Sequence, residues 1–118
     1  MNRFVWTILG CTALLSACDV ALTLPETEPL SLQVHKKGSP VAECKLLPGT
    51  PNFQKLASWL SNNKTGWSPT PATYIPGVYI TGSKFSINFL GTFVIVNYAD
   101  GQYSHSVSPS EYEFLQCS

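Results

Sequence analysis

The chain has 118 residues, with seven Lys/Arg against seven Asp/Glu; only 12% of it is charged, while 44% is hydrophobic. That length supports one domain with one core. The balanced charge excludes the basic footprint of a nucleic-acid binder, and Arg3, the sole arginine, leaves the rest of the chain without bidentate guanidinium forks for phosphate or carboxylate.

The N-terminus reads MNRFVWTILGCTALLSACDV. Arg3 precedes an apolar run from Phe4 to Leu15, too short to cross a bilayer, which takes about 20 apolar residues. A cation, a short apolar stretch and then small residues form the layout of a secretory signal. Its last four residues, Leu15-Ser16-Ala17-Cys18, resemble the lipobox of bacterial lipoproteins. That resemblance covers the first 18 residues. It implies cleavage before Cys18, a diacylglycerol on the Cys18 thiol and anchoring in the cell envelope. Asp19 resembles the inner-membrane retention signal of enterobacterial lipoproteins, with the outer membrane as the alternative. An ordinary signal peptide that leaves a free Cys18 is the competing reading. The cysteine count favours the lipid: with Cys11 in the signal and Cys18 acylated, Cys44 and Cys117 remain as an even pair for an oxidising compartment.

The expected organisation is therefore a signal peptide over 1–17, a lipidated N-terminus and tether over 18–29, and one globular domain over 30–118. The tether DVALTLPETEP has two prolines and three acids and little that could bury. LSLQVHK (30–36) alternates apolar and polar residues, which predicts a strand with one face inward. KGSP turns the chain, and VAECKLL (41–47) is a second, weaker strand candidate. TPNFQKLASWLSNNKTG (50–66) carries the one clear helix: Thr50 as N-cap, Pro51 at the first helical position, and a stripe of Phe53, Leu56, Ala57 and Leu60. WSPTPATYIPG (67–77) predicts a stiff, ordered loop. VYITG, Phe85–Phe89, Phe93–Tyr98 and Gln102–Val107 read as strands, the last two joined at Asp100-Gly101, a strong type I′ hairpin signal. Residues 109–116 stay open between a short helix capped by Ser108 and Glu111 and an edge strand.

This order predicts an α+β domain: an antiparallel sheet of about four to five strands with one main helix packed on one face, cystatin-like in element order. A Cys44–Cys117 disulfide would tie the start of the domain to its end.

The sequence suggests no enzyme and no cofactor. Ser61-Asn62-Asn63-Lys64 and Lys64-Thr65-Gly66 match S-x-x-K and K-T-G, the signatures of penicillin-interacting enzymes, yet they share one lysine where that chemistry needs separate elements. His35 and His105 lie outside ligand-spaced motifs, so no metal is expected. Glu111 and Glu113 sit near a cap. Two features point to binding instead. Phe93–Tyr98 is apolar on both faces, and a lone helix covers one face of a sheet, which leaves the other for a loop or a partner. GWSPTPATYIPGVY gathers aromatic residues around three prolines. The candidate interaction surface is Trp67, Tyr74, Tyr79, Val94, Val96 and Tyr98. The expected function is that of a membrane-anchored, periplasm-side lipoprotein binding another protein, as an inhibitor or immunity-type protein. The alternatives are an accessory subunit of an envelope assembly or a peptidoglycan or glycan binder.

Overall fold

A computed structural model describes residues 18–117; the expected signal peptide lies outside the described residues. Among the described residues seven strands form one antiparallel sheet: β1 (Leu30–Lys36), β2 (Ser39–Leu46), β3 (Ser68–Pro69), β4 (Val78–Thr81), β5 (Phe85–Leu90), β6 (Phe93–Tyr98) and β7 (Gly101–Ser106). Their spatial order is β2-β1-β4-β5-β6-β7-β3. One helix, α1 (Pro51–Asn62), leads from one edge of the sheet to the other. The fold is α+β, with more strands than the four to five expected. The strand that no sequence segment anticipates is β3, two residues inside the proline-rich segment, where proline marks an edge and gives no strand signal.

Strand register sorts the side chains. Leu32, Ile80, Ile87, Val96 and Tyr103 line one row across the sheet, and Val34, Val78, Phe89, Val94 and His105 the next. This inner face meets Phe53, Leu56, Trp59 and Leu60 of α1 in the core. Thr50 caps the helix, accepting from Phe53 N, and Pro51 opens it. Burial of such large apolar side chains stabilises by about 1.5–3 kcal/mol each.

Two flanking segments complete the inner layer. Cys18, Val20 and Leu24 are buried in the same core, so the stretch expected to be a free tether lies on the domain. Its few apolar residues are enough to dock it, and backbone bonds from Val20 N to Lys64 O (2.8 Å) and between Cys18 and Trp67 hold it there. At the other end, Pro109–Glu111 forms a single 3₁₀ turn; residues 109–116 are neither a longer helix nor a strand. Ser108 N donates to Glu111 Oε2 at 2.9 Å, the reach-back expected of a capping box. Leu115 is buried, and Cys117 is bonded to Cys44 across 73 residues.

The β6–β7 hairpin turns on Ala99 and Asp100, both with positive φ (49° and 64°), flanked by the Tyr98–Gly101 pair. The turn sits one residue earlier than Asp100-Gly101 predicts, and Gly101 begins β7.

Candidate interaction surface

The outer face of the sheet decides what the molecule can offer. Its middle row is Gln33, Tyr79, Asn88, Ile95 and Ser104, and the row below is Ser31, Thr81, Ser86, Asn97 and Gln102. Ile95 is buried although it faces away from the helix. The segment Thr70–Gly77 runs as a strap from the β3 edge back to β4 in the middle of the sheet, and its bonds to Gln102 on β7 and Asn88 on β5, the two neighbours of β6, lay it across this face.

Two side-chain amides fasten the strap. Gln102 Nε2 donates to Thr70 O (2.8 Å) and to Ala72 O (2.7 Å). Asn88 accepts from Gly77 N at its Oδ1 (2.8 Å) and donates from Nδ2 to Ile75 O (3.0 Å). Asn88 is the buried polar side chain of the described residues, 5% exposed. A proline-rich strap forms little internal structure, so its carbonyls and N–H groups need such partners. Thr70 Oγ1 and Tyr74 Oη share a further bond of 2.7 Å. Gly77 is required by close approach: a Cβ there would run into Phe89 O.

A strap held this way displays its outer side chains rigidly. Ile75 is 65% exposed, and the Tyr74 ring packs edge-on against Phe93, 37% exposed, with centroids 5.7 Å apart. Beside them lies an open cavity of about 670 Å³, bordered by Tyr74, Ile75, Leu90, Phe93, His35 and Lys37. A second, more polar groove of about 760 Å³ includes Tyr79, Thr81, Ser86, Asn97 and Gln102.

The six expected surface residues separate. Trp67, Val94 and Val96 are fully buried and belong to the core, which corrects their assignment to a surface. Trp67 follows the Gly66 turn onto the inner side: its Nε1 donates to Asn63 O at 2.6 Å, and its ring lies 4.9 Å from His105 and 6.1 Å from Trp59. Val94 and Val96 share the inner face with Phe89 and Ile87. Tyr98 is half-buried, packs against the core and meets Tyr103 at 5.8 Å, and its Oη accepts from Ala21 N at 3.0 Å. Tyr74 and Tyr79 are partly exposed on the outer side, one on the strap and one in the polar groove. Ile75 and Phe93 were missed. Ile75 stands between tyrosine and proline with no periodicity to give it a face, and Phe93 reads as one of many apolar residues in β6.

Cys18 is 1% exposed. Its N donates to Trp67 O (2.6 Å) and its O accepts from Trp67 N (3.1 Å), and its sulfur is disulfide-bonded. A thioether lipid and a disulfide are alternative states of that one sulfur.

His105 bridges strand and loop: Nε2 lies 2.9 Å from Thr65 O and Nδ1 2.7 Å from Ser106 O. Trp59 Nε1 donates to Glu111 Oε1 at 3.0 Å. That bond, with the Ser108 N–H second, holds the Glu111 carboxyl below the usual carboxylate range. Glu111 thus ties the C-terminal turn to α1, a structural task. Among the described residues no group of three or more His, Cys, Asp or Glu side chains is placed to hold a metal ion, and no helix is long and apolar enough to cross a membrane.

Comparison of the chain with family models, curated proteins and solved structures finds no match.

Proposed function

We propose that this protein works by binding another protein through the strap face, as an inhibitor or immunity-type factor of the bacterial envelope. One observation carries the reading: Ile75 stands exposed and Tyr74 half-exposed on a segment immobilised by Asn88 and Gln102, beside the exposed Phe93 of β6. Rigid aromatic and aliphatic anchors lose little entropy when a partner covers them. Lys37 stands at the rim, and no carboxylate is among the residues bordering that cavity, so the face suits an apolar partner patch with an acidic margin. Binding rather than catalysis is the role this arrangement supports.

The chain's location is part of the proposal. The Leu15-Ser16-Ala17-Cys18 tetrapeptide supports lipid anchoring on the periplasmic side, and Asp19 supports inner-membrane retention. Because Cys18, Val20 and Leu24 pack into the core, a lipid at Cys18 would hold the domain directly against the bilayer. The intact mass of the exported protein separates the acylated chain from one that keeps a Cys18 disulfide. We also read the helix-on-sheet layout as cystatin-like in element order, and that analogy carries no functional weight.

The test is affinity capture from envelope extract with the exported protein and its Ile75→Asp variant. A partner retained by the first and lost by the second supports the reading; equal retention removes the strap from it. The polar groove favours one other reading. Tyr79 with Thr81, Ser86, Asn97 and Gln102 is a set suited to sugar hydroxyls, and sedimentation with purified sacculi that Tyr79→Ala abolishes would favour a glycan binder.

A further inference from the structure

We propose that the β2 edge is a self-association surface, on which two copies of this chain pair antiparallel, β2 against β2, about a two-fold axis at Cys44. β2 ends the sheet, so its outer backbone groups await a partner strand. Along it burial alternates: Val41, Glu43 and Lys45 are exposed, while Ala42 and Cys44 are half-buried and Leu46 is buried; Leu47, just past the strand's end, is again exposed. Charged residues on an edge ordinarily discourage strand addition. Here they select one arrangement. Antiparallel pairing centred on Cys44 sets Glu43 opposite the second copy's Lys45, and Lys45 opposite its Glu43. Centring on Glu43 or on Lys45 instead sets like charges face to face, which is unfavourable.

The same register explains two other features. It brings Val41 (56% exposed) near the second copy's Leu47 (47% exposed) at each end of the pairing, where the two most exposed apolar side chains flanking the ladder could cover each other. Val41 is the bulged residue of β2, since Val34 pairs with Ala42 and His35 with Pro40, so the regular ladder is interrupted there. Pro40, beyond the bulge, and Pro48, beyond the end of the strand, have no N–H with which to extend the pairing. The contact is a short ladder with two ion pairs and two apolar contacts, a weak and salt-sensitive dimer. It lies on the opposite side of β1 from the strap's landing at β4, and does not rest on the reading of the strap.

The experiment is sedimentation equilibrium of the exported protein over a wide concentration range. Glu43 and Lys45 are exposed, so Glu43→Lys and Lys45→Glu should each fold normally by circular dichroism. Each variant should dimerise at least about tenfold more weakly than the parent, because two attractive pairs become repulsive. An equimolar mixture of the two should recover association, since the opposed charges are again complementary, and so should the doubly exchanged chain. A parent that stays monomeric at every concentration overturns the proposal. A dimer that is indifferent to both single exchanges, or a mixture no tighter than its components, overturns it equally.

Discussion

Replacing Asn88 by alanine tests whether the strap is held as described. The substitution removes the acceptor for Gly77 N and the donor to Ile75 O, at 2.8 and 3.0 Å, from a site that is 5% exposed. Each backbone group left without a partner there costs about 1–3 kcal/mol. Partial access of water on the Ile75 side reduces the second loss, so the sum is about 2–4 kcal/mol. Against a total stability of about 5–15 kcal/mol for a domain, that is a large fraction. Urea unfolding of the parent and the Asn88→Ala protein measures it, and chymotrypsin supplies a local readout because Tyr74 lies within the strap. The expected result is a lower unfolding midpoint together with faster cleavage at Tyr74 under native conditions. A loss below about 0.5 kcal/mol, the scale of an ordinary surface substitution, with Tyr74 still protected, would refute the assignment of Asn88 as the clamp.

Four further outcomes follow from the same geometry. Trp67→Ala should destabilise the fold by about 3–5 kcal/mol, since Trp67 is a core residue; a well-folded variant that merely binds less would return Trp67 to the surface. Ile75→Asp should change stability by no more than about 0.5 kcal/mol while weakening partner binding by about thirtyfold or more, the scale of a hot spot. Removing the Cys44–Cys117 bond by exchanging both cysteines for serine releases a loop of 73 residues in separation and should cost about 4 kcal/mol in the chain-entropy description, read as a lower urea midpoint. Glu111 is held below its ordinary value by Trp59 and Ser108, so its contribution is present above the unfolded-state pKa. It is lost as pH falls through the folded one. Glu111→Gln should therefore flatten the acid side of the stability profile, below about pH 4.5, with Trp59 fluorescence as the probe.

Much of the fold was legible because it rests on local patterning. β1 and β6 match their apolar runs residue for residue, and Thr50-Pro51 starts α1 where capping chemistry places it. The surface was less legible for a tertiary reason. Val94 and Val96 carry the same signal whether they meet a helix or a partner, and only the register through Phe89 and Ile87 assigns them inward. Asn88 reads as an ordinary outward polar residue of an alternating strand. It becomes buried only because residues forming the strap return over it, and no periodicity records that return. Trp67 and Tyr74 share one proline-rich segment, yet Gly66, with φ of 88°, turns Trp67 to the inner side while the strap carries Tyr74 to the outer. The docking of Val20 and Leu24 is hidden in the same way, since isolated apolar residues among prolines and acids read as linker.

Protein binding by the strap is tested most directly by placing a photo-crosslinking amino acid at Ile75 and, separately, at Ser58 on α1, and irradiating each exported protein in intact cells. Position 75 should give a discrete protein adduct, absent from position 58 and abolished by Asn88→Ala, which frees the strap. An adduct of equal yield from both positions, or none from position 75 while the Tyr79 groove retains sacculi, would contradict a protein-binding role for the strap.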